Sequence, residues 1–128
     1  MKLLIDTHVL LWIAGDSENL SKKVASLILD EENSLFLSFA SIWEIQIKSQ
    51  LGKLDITKLL PDLIQEQCQS NDIQLLEVKL QHIYGLKDLP NHHRDPFDRL
   101  LISQSKIEQM PILSIDRAFD TYEVQRIW

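Results

Sequence analysis

Short apolar runs alternate along this chain with segments of helical periodicity. Four of the runs have the length and content of buried strands: residues 2–5 (KLLI), 34–38 (SLFLS), 73–78 (IQLLEV) and 111–115 (PILSI). Five longer segments carry apolar residues at helical spacing: 21–32, 40–51, 56–70, 80–86 and 96–109. Strands that alternate with helices predict an α/β fold, in which helices cover both faces of a central, mainly parallel sheet.

Start and stop signals agree with several of these helix boundaries. Ser21 stands where an N-cap is expected, and Gly52 follows the 40–51 segment at the position where glycine commonly ends a helix. Asp95 followed by Pro96 is a strong helix start, since aspartate caps the first N–H groups and proline loses no hydrogen bond at the first helical position. We therefore predict that the last long helix begins at Pro96.

Composition predicts one domain that spans residues 1–128. A chain of 128 residues with 45% hydrophobic content has the size of one compact domain, and no repeat or linker interrupts it. No apolar run approaches the roughly 18–20 residues of a membrane span. The opening MKLLIDTHVLLWIAGD is too short and too acidic for a signal peptide. We expect a cytoplasmic protein without a membrane segment.

Charge and cysteine content narrow the function classes only a little. The formal net charge of −6 argues against a broad basic surface that would wrap nucleic acid, but it agrees with carboxylates gathered around a cation. The lone cysteine, Cys68, cannot form an internal disulfide, and we expect it to be packed in a helix. The positions of the acids must therefore indicate the chemistry.

Two predicted strands are followed by aspartates. Asp6 comes directly after the first strand and Asp116 directly after the last. Ligands of parallel sheets bind beyond the carboxyl ends of the strands, so both carboxylates are placed for a binding site. Either one alone is as easily explained as a cap of the next helix or turn.

Glu44 is an acid in an apolar helical environment. It stands between Trp43 and Ile45. Burying an ionised carboxylate without a partner costs several kcal/mol, so Glu44 is either paired, protonated or bound to a cation. An ion pair with Lys48, four residues later, is an equally good explanation at this stage.

The segment NHHRDPFDRLLISQSKI (91–107) places two acids where a helix begins. Asp95 is predicted as the N-cap, and Asp98 falls in the first turn, where the helix dipole favours negative charge. Both acids therefore have structural explanations. The same geometry places Asp98 where it can join carboxylates from strand ends, and such a group of like charges needs a cation.

Four segments together resemble the PIN domain, and specifically the toxin ribonucleases of VapC-type toxin–antitoxin pairs. They are LLIDTHVLLW, SFASIWEIQIKSQLGKL, HHRDPFDRLLISQS and PILSIDRAFDTY, and they follow one another in the family's order over the whole chain. The resemblance implies a three-layer α/β/α sandwich. It also implies an endoribonuclease that cleaves RNA, a cognate antitoxin as partner, and a homodimer.

The resemblance assigns the catalytic and metal-binding carboxylates. They are Asp6, Glu44, Asp98 and Asp116. Hard cations such as Mg²⁺ and Mn²⁺ prefer carboxylate and water oxygens, so these acids would hold Mg²⁺ (or Mn²⁺) and activate a water against the phosphodiester. We favour Asp98 over Asp95 as the ligand, because the RLLISQS that follows it is similar to the family's LIAxA run.

Other residues are expected to support this site. Ser114 keeps the hydroxyl of a threonine that many PIN domains have two residues before the last acid. The remaining supporting candidates are Thr7, Ser41, Asp95, Arg94 and Arg99. RNA contact would depend on a few cations, with Arg94, Arg99, Lys48 and Lys53 nearest to the acids, although each is also explained as a surface charge.

Two other enzyme-like classes are alternatives. A Mg²⁺-binding, phosphoryl-accepting regulatory domain has a similar α/β layout, but it needs adjacent acids after the first strand and a lysine after the last, and LLIDTHV and EVQRIW lack these. A haloacid-dehalogenase-like phosphatase needs a second acid where this chain has His8. No GxSxG motif supports a serine hydrolase.

Histidine and tryptophan give weaker signals. His92 and His93 are adjacent and cannot form a zinc pair on one helical face, so we expect neither to bind a metal. His8 is expected to pack beside the site. The three tryptophans, Trp12, Trp43 and Trp128, lie in apolar surroundings and are predicted to belong to the core or to an interface.

Overall fold

A five-stranded parallel sheet forms the centre of the fold. The computed structural model describes all 128 residues. Its strands are β1 (Lys2–Ile5), β2 (Ser34–Ser38), β3 (Gln74–Leu76), β4 (Ile112–Leu113) and β5 (Arg126–Ile127), in the order β3-β2-β1-β4-β5. Every neighbouring pair is parallel, with Leu3 opposite Leu35 and Leu4 opposite Ile112. The predicted, mainly parallel sheet is thus confirmed.

Six α-helices connect the strands. They are α1 (Thr7–Gly15), α2 (Lys22–Leu29), α3 (Phe39–Gln50), α4 (Leu60–Ser70), α5 (Leu80–Tyr84) and α6 (Pro96–Glu108). Short 3₁₀ helices lie at Ser17–Asn19, Gly85–Asp88 and Arg117–Thr121. None of these helices combines the length and the apolar content needed to cross a bilayer.

Alternation along the strands divides the interior into two cores. Leu3 and Ile5 face a core that includes residues of α1, α2 and α3, whereas Leu4 faces a second core that includes Leu101 and Ile102 of α6. This alternation is the period-2 consequence of strand geometry. Helices on both faces of one sheet give the predicted three-layer α/β/α sandwich.

Helix caps confirm the clearest boundary predictions. The Ser21 hydroxyl accepts a hydrogen bond from the Val24 N–H at 3.1 Å and caps α2. Asp95 caps α6, with Pro96 as its first residue. Gly52 follows α3 with a φ of 70°, a left-handed conformation that glycine adopts without strain.

Several predicted elements differ from the observed ones. The strand predicted over 73–78 contains only Gln74–Leu76, and the one over 111–115 only Ile112–Leu113, because parallel pairing ends where the neighbouring short strands end. The helix predicted from residue 56 starts at Leu60, where Pro61 occupies the first turn. The 80–86 helix ends at Tyr84 and continues as a 3₁₀ turn.

Two elements were not predicted. The α1 segment THVLLWIAG carries almost no polar face, so its apolar residues continue the β1 run without a change of pattern. Strand β5 has two residues, one of them Arg126, which is too short for a pattern. It is a strand because it extends the sheet beside β4.

The order of the strands places a crevice beside β1. The chain moves from β1 to β2 and β3 on one side, and then crosses to β4 and β5 on the other. Connections that leave in opposite directions open a gap above the carboxyl ends of β1 and β4, which is where ligands of open α/β sheets bind. The residues after these two strands therefore face a common site.

Candidate active site

A cleft of about 570 Å³ opens at the carboxyl ends of β1 and β4. It is lined by Asp6, His8, Trp12, Glu44, Lys48, His93, Asp95, Asp98, Ile115 and Asp116. All four acids predicted from the sequence lie in it, together with Asp95. A neighbouring cleft of about 450 Å³ shares His8 and Trp12 but has no comparable group of acids.

Asp6 and Asp116 are joined by the hydroxyl of Ser114. Asp6 is 6% exposed, and its Oδ2 accepts a hydrogen bond of 2.5 Å from Ser114 Oγ. Ser114 Oγ in turn accepts the Asp116 N–H at 3.0 Å. Burial raises the pKa of Asp6 above its usual value, although the hydrogen bond from Ser114 opposes this shift. The hydroxyl expected at position 114 thus orients one acid and the backbone of another.

Glu44 projects from α3 into the same cleft and is only 5% exposed. Thr7 Oγ1 donates to its Oε1, and Lys48 Nζ donates to its Oε2, each at 2.5 Å. The ion pair that the sequence offered as an alternative therefore exists within the acidic cleft. The hydrogen bond with Glu44 raises the pKa of Lys48, so the lysine is a charged internal counter-ion.

The two acids of α6 have different surroundings. Asp95 Oδ1 accepts hydrogen bonds from the N–H groups of Phe97 at 2.8 Å and Asp98 at 3.1 Å, as an N-cap does. Asp98 has no such capping bonds. Burial, followed by repulsion from Asp95, raises the pKa of Asp98 to about 7, and Asp6 and Glu44 add to the repulsion. Additional positive charge in the cleft would therefore favour the ionised form of Asp98.

Asp116 is exposed at the opening of the cleft. Its Oδ1 accepts the Ala118 N–H at 2.9 Å and caps the 3₁₀ helix Arg117–Thr121. One ligand atom each from Asp116, Asp98 and His93 lie within 4.8 Å of one another. The capping role considered from the sequence is thus real, and it leaves Asp116 beside the other acids.

His93 is the site residue that sequence reasoning passed over. Its Nε2 lies 2.7 Å from Asp98 Oδ2, whereas the adjacent His92 is exposed and packs edge-on against Tyr122. The two histidines are on an irregular segment, so no periodicity indicated which of them would face the acids. The structure places His93 beside two of the predicted acids, and the expectation that neither histidine binds a metal stays a prediction.

The side chain of Arg99 is held by hydrogen bonds to backbone carbonyl groups. Its guanidinium donates to the carbonyl oxygens of Leu86 at 3.1 Å, Pro90 at 3.0 Å and His93 at 3.4 Å. These bonds give Arg99 a structural role, and its contact with RNA stays a prediction. Arg94 and Lys53, by contrast, are exposed.

Three further residues lie away from the cleft. Ser41 is fully buried, its hydroxyl has no hydrogen-bond partner, and it does not line the cleft. Asp120 forms an ion pair with Arg126 at 2.8 Å, which lowers the pKa of Asp120 and leaves it outside the acidic group. Trp43 is 57% exposed and packs edge-on against Phe97, so it lies outside the core, and its place in an interface stays a prediction.

The donor set suits a hard divalent cation. Carboxylate oxygens and the imidazoles of His8 and His93 line the cleft, and Lys48 is the only lysine or arginine that lines it. Mg²⁺ and Mn²⁺ accept carboxylate ligands, and Mn²⁺ also accepts imidazole. The raised pKa of Asp98 is the physical sign that these charges are not neutralised by the protein alone.

Solved structures of similar fold include a toxin–antitoxin complex from Klebsiella pneumoniae, with a TM-score of 0.63 and 10% identity, covering 98% of this chain and 96% of that one. VapBC2 from Rickettsia felis bound to a promoter DNA fragment matches with a TM-score of 0.74 and 11% identity, covering 99% of this chain and 98% of that one. VapBC-1 from nontypeable Haemophilus influenzae gives 0.69 and 16%, covering 99% and 97%. FitAcB from Neisseria gonorrhoeae gives 0.63 and 16%, covering 100% and 97%. At these identities the likeness concerns the fold.

Comparison with protein sequences and family models identifies the family more specifically than the structural likeness does. No curated protein sequence matches the chain significantly. The family model of the PIN domain, however, matches residues 3–124, which include all four predicted acids. This match leaves no support for the phosphoryl-accepting and phosphatase alternatives. The chain belongs to the PIN domain family.

Proposed function

We propose that this protein is a metal-dependent endoribonuclease that hydrolyses RNA phosphodiester bonds and acts as the toxin of a toxin–antitoxin pair. One observation carries the enzymatic part: five carboxylates line one cleft of a PIN fold, and their burial and repulsion raise the pKa of Asp98 to about 7. Natural proteins gather buried like charges chiefly where a cation or a reaction needs them.

In this proposal Asp6, Glu44, Asp98 and Asp116 hold Mg²⁺ or Mn²⁺. When bound, the ion would lower the pKa of a water and stabilise charge on the phosphoryl oxygens. The hydrogen bonds from Ser114 and Thr7 hold the carboxylates of Asp6 and Glu44 in fixed orientations. No side chain of the protein is required as the nucleophile.

Substrate binding would use few basic contacts. The net charge of −6 repels phosphate at long range, so the ion and a small number of cations must draw RNA to the cleft. Arg94 is exposed on the segment that carries His93, and we propose it as a contact with the RNA phosphates. Lys48, which neutralises Glu44, lies inside the cleft.

The partner proposals follow the structural neighbours and the family. One structural neighbour is a toxin–antitoxin complex, and the chain resembles VapC-type toxins, so we infer that a small antitoxin protein binds this chain and restrains it. We also infer that residues 1–128 act as one PIN domain and form a homodimer. Exposed apolar side chains of α5, Leu80, Ile83 and Tyr84, are available for contacts between chains.

The decisive experiment is RNA cleavage by the purified chain with EDTA, Mg²⁺ or Mn²⁺. We expect cleavage only with metal, and a fall of orders of magnitude in Asp6→Asn, because a neutral amide is a much poorer ligand for a hard cation. Asp72→Asn is the matched control. Asp72 is exposed, precedes β3 at the opposite edge of the sheet, and has a φ of 52°, which asparagine also tolerates.

Two results would contradict the proposal. Cleavage that continues in EDTA would show that the reaction needs no metal. Equal cleavage by wild type and Asp6→Asn would show that the acidic cleft takes no part in the reaction. The antitoxin is tested separately, by co-purifying the chain with the product of the neighbouring reading frame and measuring whether that product suppresses cleavage.

A further inference from the structure

His93 lies among the carboxylates and presents a nitrogen to them. Its Nε2 is 2.7 Å from Asp98 Oδ2, and one ligand atom each of His93, Asp98 and Asp116 lie within 4.8 Å of one another. The imidazole is 24% exposed, so one side of it packs against protein while the cleft reaches the other. A nitrogen donor is therefore already in place beside two of the predicted oxygen ligands.

The segment that carries His93 is fixed by hydrogen bonds on both sides. The Tyr122 hydroxyl accepts the His93 N–H at 2.8 Å and donates to the Pro90 carbonyl at 2.9 Å. Arg99 of α6 donates to the Pro90 and His93 carbonyls. These bonds tie the segment to the helix that carries Asp98. The position of the imidazole relative to Asp98 is thus built into the fold.

The spacing of the donor atoms fits a shared ion. Neighbouring ligands of an octahedral cation with bonds of about 2.1 Å lie about 3 Å apart, and opposite ligands about 4.2 Å apart. The 2.7 Å between His93 Nε2 and Asp98 Oδ2 is close to the first value. The ligand atoms of His93, Asp98 and Asp116 lie within 4.8 Å of one another, so small movements of the exposed Asp116 side chain can bring all three to one ion. Without an ion, the same two atoms form a hydrogen bond.

From this geometry we propose that His93 Nε2 is a ligand of the bound cation and makes the site prefer Mn²⁺ to Mg²⁺. The proposal depends on the metal site of the proposed function and adds a nitrogen ligand to it. Imidazole suits transition metals, whereas Mg²⁺ binds oxygen ligands and waters almost exclusively. A site with one nitrogen and several carboxylates therefore discriminates between two ions of equal charge.

The direct test is pulsed EPR of the full chain loaded with Mn²⁺. A coordinated imidazole gives a ¹⁴N coupling, which we expect in the wild type and not in His93→Gln. Glutamine keeps an N–H donor for Asp98 but removes the imidazole. His92→Gln is the matched control from the adjacent position, and His8→Gln tests the other histidine that lines the cleft. Both controls should keep the coupling.

Binding constants give an independent readout. We expect His93→Gln to weaken Mn²⁺ binding by about tenfold or more, as losses of metal-site residues commonly do, and to change Mg²⁺ binding much less. The Mn²⁺/Mg²⁺ selectivity should therefore fall in this variant and remain unchanged in His92→Gln. Calorimetric titration of each variant with each metal alone measures this.

The outcomes separate the inference from the proposed function. If the wild type binds Mn²⁺ without a ¹⁴N coupling, or if the coupling survives in His93→Gln, the assignment of His93 as a ligand is wrong. The carboxylate metal site stands in either case. If the coupling disappears in His8→Gln alone, the ligand is His8 and the inference is overturned. If the wild type binds neither metal, the proposed function fails together with it.

Discussion

At the scale of one residue, the raised pKa of Asp98 shows that bringing several acids together disfavours their charged forms. Burial and three neighbouring carboxylates, Asp95, Asp6 and Glu44, disfavour its charged form, and the hydrogen bond with His93 works in the opposite direction. Its pKa is raised from 3.8 to about 7. The metal-free protein therefore binds a proton near neutral pH that an exposed aspartate would have released.

This shift predicts how the stability of the metal-free protein depends on pH. Between pH 4 and pH 7 the folded chain keeps a proton on Asp98 that the unfolded chain loses, so the free energy of unfolding falls as pH rises through this window. Melting temperatures in EDTA should decrease from pH 5 to pH 7.5. Asp98→Asn should be the more stable protein at pH 7.5 and show a flatter profile.

Asp72→Asn is the control for the comparison of wild type with Asp98→Asn. Asp72→Asn removes one carboxylate from the opposite edge of the sheet and should follow the wild-type profile. Saturating Mn²⁺ should raise the wild-type melting temperature at pH 7.5, because a ligand that binds only the folded state stabilises it by RT ln(1 + [L]/Kd). A profile that is identical in the wild type and Asp98→Asn would contradict the assigned shift.

At the scale of the element, helix α6 is capped by one acid, Asp95, and presents another, Asp98, to the cleft. Asp95 caps two N–H groups, while Asp98, one turn along, contacts His93. Helix α3 solves a similar problem with Lys48, which lies one turn after Glu44 and neutralises it. Each helix thus supplies a carboxylate to the cleft together with a local interaction that makes the carboxylate tolerable.

Substitutions of Asp95 separate its capping role from its charge. Asp95→Ala removes both and should cost about 0.5–2 kcal/mol of stability, while Asp95→Ser keeps a capping oxygen and should cost much less. Both variants should retain much of the RNA cleavage, because Asp98 is the proposed ligand. Urea unfolding and Mn²⁺-dependent cleavage measure the two effects. A stable but inactive Asp95→Ser would mean that Asp95 is the ligand.

At the scale of the whole molecule, the two cores share one sheet. Leu3 and Leu4 are consecutive residues of β1 and lie in different cores, so neither core can be lost without disrupting the central strand. Trp12 and Trp128 pack against each other at 5.7 Å, and Trp128 contacts the first core. Once Trp43, which packs against Phe97 of α6, is replaced by phenylalanine, the remaining tryptophan fluorescence reports on one side of the sheet.

A substitution in the second core should change the unfolding midpoint reported by tryptophans that pack beside the first core. Leu101→Ala empties a fully buried position of α6 and should destabilise the protein by about 2–5 kcal/mol. The midpoints measured by tryptophan fluorescence and by far-UV circular dichroism should shift together. Leu29→Ala, at an exposed position, is the matched control and should change little. A fluorescence midpoint that stays fixed while the dichroism midpoint moves would contradict a single cooperative domain.

The sequence by itself determined the features that depend on near neighbours. Period-2 and helical patterns, Ser21, the Asp95–Pro96 start and Gly52 act within a few residues, so the α/β alternation and several helix boundaries could be predicted from them. The acids after two parallel strands could also be expected at one edge, because parallel strands share the direction of their carboxyl ends.

Only the tertiary structure decided the features that depend on distant contacts. Ser114 meets Asp6 across 108 positions of sequence, and no local pattern indicates that bond. The same holds for β5, which is a strand because it pairs with β4, and for Arg99, which holds the segment of His93. Whether Glu44 pairs with Lys48 or faces the acids was undecided in the sequence. In the fold it does both, because α3 places the pair inside the cleft.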